Sequence, residues 1–151
     1  MGRVGASLEI PYPPETAFAV ATRIEQLPAW LPEVMSATLL DAPLSPGSRL
    51  RLKLSAAAAG TEVVGTVRQL RAPSVFVIGG SGGPLTVEVR ARFDPVGASS
   101  TRIALEIELT TSPMFGFIGR EAERRINAEI PASLQRFRAI LDAEAGVAPA
   151  P

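Results

Sequence analysis

The chain has 151 residues, 15 basic against 15 acidic, and neither cysteine nor histidine. That length suits one domain with a substantial core. The missing residues exclude disulfides, Ser-His-Asp and Cys-His nucleophile systems, and the usual Cys/His zinc sites. Zero net charge disfavours nucleic acid as a partner.

The basic residues are almost all arginine, Lys53 being the only lysine, a bias that fits genomic composition. The first residues, Met1 to Val4, carry no apolar signal-peptide core. No window reaches the roughly 20 apolar residues of a membrane span. The expectation is a soluble cytoplasmic protein with no membrane span.

Arg3 to Ile10 alternates apolar and polar residues, the period of a half-buried strand. Pro11, Pro13 and Pro14 end it, and Pro14 can open a helix, where its missing N–H is no loss. Glu15 to Arg23 predicts a short helix, and Ile24 to Leu31 a second helical turn bounded by Pro28 and Pro32. Strands are then predicted over Glu33–Asp41, Ser48–Ser55, Gly60–Arg71, Ser74–Ile78, Leu85–Phe93 and Arg102–Leu109. Turn residues separate them at Pro43–Gly47, Ala57–Gly60, Gly79–Pro84 and Asp94–Ser100. One wet face and one apolar face recur, which indicates an antiparallel meander. Residues 117–144 read as one long helix, with Ile118, Ala122, Ile126, Ile130, Leu134, Phe137 and Leu141 on one face. Residues 1–145 are expected to form one domain and 146–151 a disordered tail.

A single long helix of this kind must bury its stripe on the sheet, and a curved sheet closed around it leaves a cavity. Strand order, Pro14-Glu15-Thr16-Ala17-Phe18 opening the first helix, the segment Leu27-Pro28-Ala29-Trp30-Leu31-Pro32-Glu33-Val34, and the final helix together carry a resemblance. Residues 3–144 resemble the helix-grip fold of the START-related, birch-pollen-allergen-like superfamily (SRPBCC). The most similar subgroup is the bacterial polyketide cyclase/dehydrase and lipid-transfer group. The resemblance implies an α+β fold of about seven antiparallel strands around one C-terminal helix, with two short helices after the first strand. It also implies a cavity for something apolar. It does not fix an activity.

The inward sheet positions are expected to be Val63, Val67, Val87, Val89, Ile103, Leu105 and Ile107. With Ala122, Ile126 and Ile130 of the helix they would line the cavity. Trp30 can plug the core or stack on a ligand. Phe115 and Phe117, beside Met114 and Gly116, can form a portal or an anchor for the helix start. This lining suits a small hydrophobic ligand, lipid or polyketide-like, held by burial. No cofactor or metal is called for.

Two residues are weak catalytic candidates. On an ideal helix at roughly 100° per residue, Glu123 falls within the apolar arc. It could serve as an acid or base, or simply occupy an uncovered first turn, where it suits the helix dipole. Tyr12, the only phenol, could polarise a carbonyl or pack its ring with a wet hydroxyl. Glu129, Arg125 and Arg136 lie at the edge of the arc, where apolar stems pack and charged heads reach water. Ser133, inside the arc, permits close helix–sheet approach. Gly79 to Gly83 lacks the ending and the following helix of a phosphate-binding loop and is read as a connection between strands. The alternatives to a binding module are a cyclase or dehydratase, and a protein–protein module using the Arg and Glu rows of the outer sheet face; a protein partner is not specified.

Overall fold

The computed structural model describes residues 2–55 and 60–146. Part of the expected Ala57–Gly60 turn and residues 147–151 of the expected tail lie outside the described residues. Strand β1 (Gly2–Ile10) leads into α1 (Pro14–Ala21) and a 3₁₀ helix (Ile24–Ala29). Then follow β2 (Val34–Leu39), β3 (Arg49–Leu54), β4 (Glu62–Arg71), β5 (Val75–Gly82), β6 (Leu85–Val96) and β7 (Ser100–Thr111). A short 3₁₀ turn (Pro113–Phe115) precedes α2 (Gly116–Glu144). The strands form one antiparallel sheet in the order β1-β7-β6-β5-β4-β3-β2. This is the helix-grip α+β arrangement, the sheet curling about α2.

The alternation predicted for each strand sets the faces. In β3, Leu50, Leu52 and Leu54 are buried while Arg49, Arg51 and Lys53 are exposed. The exposed rows pair across strands, Arg3 with Glu108, Arg68 with Glu88 and Arg51 with Glu62. Such half-exposed pairs contribute about 0–1 kcal/mol each; they solvate the face more than they hold it. Phe18 meets Phe93 edge-on at 5.5 Å, which seats α1 on β6.

α2 buries Ala122, Ile126, Ile130, Leu134, Phe137 and Leu141, together with Gly119 and Ser133. It lies closest to β1 and β7. The helix continues through Pro131, which sits on the exposed side. There the carbonyl that loses its i+4 partner can turn to water. The apolar stripe differs from expectation only at its start, where Ile118 is half-buried and Gly119 takes the covered position. A Cβ on Gly119 would lie 2.7 Å from the Thr111 side chain, so this turn lies close against the end of β7.

The glycine-rich segment corrects a boundary. Strand β5 does not stop at Ile78 but runs through Gly82, with Gly80 opposite Gly65 of β4 and Val87 of β6. A Cβ on Gly80 would lie 2.5 Å from the Val64 carbonyl oxygen and from the Gly65 Cα. The two backbones approach so closely that only glycine fits, which lets the sheet coil tightly here. Replacing Gly80 with alanine is expected to destabilise the protein by about 2–3 kcal/mol. Ser81→Ala, at the exposed neighbouring position, should stay within about 0.5 kcal/mol. Urea melts of the two variants check this.

Candidate functional site

The space between sheet and α2 is nearly filled. Val63, Val67, Ile103, Leu105, Ala122 and Ile130 are buried to within 1% of complete and interdigitate as core. Trp30 closes one side, its ring 4.7 Å from Phe137. The cavity expected between sheet and helix takes the form of a crevice of about 30 Å³. That is room for about two water molecules, roughly a tenth of a typical ligand pocket. Its walls are Leu31, Pro32, Glu33, Val34, Leu52, Leu54, Val87, Val89, Ile107, Leu109 and Ile126. Of the residues expected to line the space, Val87, Val89, Ile107 and Ile126 meet there. Val63, Val67, Ile103, Leu105, Ala122, Ile130 and Trp30 do not line it.

The crevice adjoins an open depression of about 400 Å³, with Leu31, Glu33 and Val34 forming a wall common to both. Pro28, Ala29 and Met35 add apolar surface to the depression, and Ser55, Arg125, Glu129 and Arg136 add polar groups. Glu33 is the centre of this cluster. Its side chain is only 7% exposed, and its backbone takes φ 63°, a left-handed value uncommon for a residue with a side chain. The Ser55 hydroxyl donates to Glu33 Oε2, and the Ser55 N–H donates to the Glu33 carbonyl at 2.9 Å. Both bonds tie the residue to the end of β3. From α2, Arg125 Nε lies 3.7 Å from Glu33 Oε1.

Glu129 stands one helical turn beyond Arg125. Burial lifts its carboxyl above the ordinary range, and the charge of Glu33 and a hydrogen bond between the two carboxyls lift it further. Arg125 and Arg136 oppose the rise. Arg136 Nη2 also donates to the Trp30 carbonyl at 3.1 Å, and the buried Ser133 hydroxyl donates to the same oxygen. Ser133 therefore does more than permit close approach: it fastens the segment after the 3₁₀ helix to α2. The Trp30 Nε1–H is buried with no partner among the described residues.

The other candidates lie elsewhere. Glu123 is half-buried and does not line the crevice. The Tyr12 hydroxyl donates to Asp142 Oδ1 instead of facing water. Asp142 is 16 residues past Ile126, about 24 Å along the helix at 1.5 Å per residue. That hydrogen bond holds the Tyr12 phenol above its ordinary pKa, with burial adding to it. Met114, Phe115 and Phe117 are exposed by 80%, 37% and 64%, so the start of α2 is neither packed down nor part of the crevice wall.

Glu33 and Ser55 were not legible as site residues. A positive-φ glutamate leaves no mark in composition, and the contact with α2 is formed between residues about 90 apart. Arg125, Glu129 and Arg136 were legible as boundary residues from their angles on the helix. That Arg125 and Glu129 meet Glu33, and Arg136 the Trp30 carbonyl, was not.

A family model described as polyketide cyclase/dehydrase and lipid transport matches residues 1–142. No curated protein matches the sequence. Among solved structures, the Zhui aromatase/cyclase from Streptomyces sp. R1128 superposes with a TM-score of 0.79 at 13% identity, covering 97% of this chain and 99% of its own. A protein from Thermus thermophilus gives 0.77 at 22% identity, with 95% and 99% covered. A START superfamily protein from Mycobacterium smegmatis gives 0.71 at 18%, with 94% and 98% covered. At these identities the likeness is one of fold.

The carboxyl pair has a consequence for pH. An unfolded Glu129 releases its proton near 4.5, whereas the native one holds it to higher pH. Between those two values the native state binds more protons, so this residue makes stability fall as pH rises through the window. Glu129→Gln should flatten that fall relative to wild type, read from denaturant midpoints taken at intervals from acid to neutral pH.

Proposed function

The chain belongs to the polyketide cyclase/dehydrase and lipid-transport family, and from that premise we propose that it binds or carries a small hydrophobic ligand, lipid or polyketide-like, between the sheet and α2. The observation that carries this is the wall shared by the apolar crevice and the open depression at Leu31, Glu33 and Val34. The crevice walls are aliphatic apart from Pro32 and Glu33, so a ligand tip there is held by burial, at roughly 25 cal/mol per Å² removed from water. The depression, at about 400 Å³, is in the size range of a ligand site. The body of the ligand would rest there, and its end would enter past Leu31 and Val34. Within the described residues no helix is long and apolar enough to cross a membrane.

A second reading is a cyclase or dehydratase. It is favoured by the Glu33–Glu129 pair, where burial and the neighbouring Glu33 raise the Glu129 carboxyl above its ordinary value. Acid–base chemistry in this site would use that pair, which adjoins the ligand space. Glu123 and Tyr12 do not.

Thermal-shift and native mass-spectrometric screening against lipids and aromatic polyketides tests the binding reading. A ligand at a hundred times its dissociation constant should stabilise the protein by about 2.7 kcal/mol. Val34→Trp, at the common wall, should abolish that gain while the unliganded protein still melts cooperatively. A screen in which no hydrophobic compound stabilises the wild type removes the proposal. Turnover of a bound polyketide that survives both Glu33→Gln and Glu129→Gln removes the pair from catalysis.

A further inference from the structure

We infer that the depression outside the crevice is a head-group site, and that it takes an uncharged ligand head carrying a hydroxyl and a carbonyl. This rests on the binding proposed above and adds the chemistry of the ligand's polar end.

Three observations converge. The first is charge balance. Glu33 and Glu129 face Arg125 and Arg136 in one depression, so an anionic or cationic head finds no net field there and must displace an existing partner. The second is the mixture of functions. The carboxylates accept, the guanidiniums only donate, and the Ser55 hydroxyl can do both. A hydroxyl next to a carbonyl is matched by such a set, and a plain hydrocarbon leaves it unmatched. The third is that the set is already in place. Glu33 is held by the side chain and backbone of Ser55, and Arg136 by the Trp30 carbonyl. Groups fixed before binding lose little freedom on meeting a ligand.

The Glu33–Arg125 separation leaves capacity for that ligand. At 3.7 Å it is longer than a hydrogen bond, and the Arg125 side chain is 51% exposed. Its N–H groups can turn to a ligand carbonyl without first breaking a buried bond. A ligand hydroxyl could donate to Glu33 or Glu129, and Arg125 supplies a donor in return. Beside this polar wall, Leu31 and Val34 lead the apolar tip of the ligand toward the crevice, while its body rests in the depression.

Three probes with one bicyclic body separate the possibilities: tetralin, hydroxytetralone and tetralin carboxylate. Amide shifts of Leu31, Val34 and Ile126 in NMR titrations at neutral pH report binding. Hydroxytetralone is expected to bind about tenfold more tightly than either of the others, the scale of one or two matched hydrogen bonds. Glu129→Met and, separately, Arg125→Met should each reduce its advantage over tetralin to about threefold or less. Thermal melts confirm that the variants are folded, and Arg125, being half exposed, is the safer substitution. Equal binding of all three probes overturns the head-group site and leaves the hydrophobic reading standing. Tighter binding of the carboxylate overturns it in favour of an anion site. An advantage that both variants leave unchanged overturns the assignment to these residues. Failure of every probe to move Ile126 removes the proposed function along with it.

Discussion

Burial of one face of α2 is the contact on which the rest of this molecule depends. Ile126, Ile130, Leu134, Phe137 and Leu141 are each at most 4% exposed. Five such side chains contribute on the order of 10 kcal/mol, comparable to the whole net stability of a domain this size. A lone helix offers no second helix to share that stripe. The sheet must therefore curve to meet it, and the glycines of β4 and β5 are placed where the curvature requires backbones to touch. The same closure leaves only a small crevice, because the aliphatic rows of sheet and helix interdigitate instead of standing apart.

The polar cluster follows from the same geometry. A helix stripe has edges, and the residues at the edges of this one, Arg125, Glu129 and Arg136, face the strip of chain that enters β2. Glu33 meets Arg125 and Glu129 because its left-handed backbone turns the side chain back toward α2 after Pro32. Left-handed backbone at a residue with a side chain costs roughly 1–2 kcal/mol, and such positions gather at functional sites. The bonds to Ser55 and the contacts from α2 offset that cost. An apolar crevice with a charge-balanced rim thus arises from the meeting of one strand end, one turn and one helix edge.

How much of this could be read from the amino acids differs by element. The strands of strict alternation, β3 and β7, and the long helix were legible because a period survives without tertiary context. The extension of β5 through Gly79–Gly82 was not, since glycine is a turn residue by local preference and a strand residue only because Gly65 lies opposite. Tyr12 was expected either to polarise a carbonyl or to keep a wet hydroxyl, and its bond to Asp142 joins residues 130 apart in sequence, which no local pattern encodes. Glu123 drew attention because an ideal helix placed it in the apolar arc. The helix is already covered at Gly119 and Ala122, but Glu123 sits beside that contact and stays half-buried, so angle alone overstated its burial.

The uneven cover of α2 also sets where the molecule can open. Met114, Phe115 and Phe117 stand in solvent, and firm burial begins only at Gly119 and Ala122. Local opening free energy should rise along the helix from this end, because each successive turn brings more buried area with it. Ile126, the helix residue that walls the crevice, lies about two turns from the uncovered start. A ligand tip that enters past Leu31 and Val34 would therefore press on the less firmly held half of the helix. The Phe137–Leu141 half of the helix, and the core it anchors, can stay closed throughout.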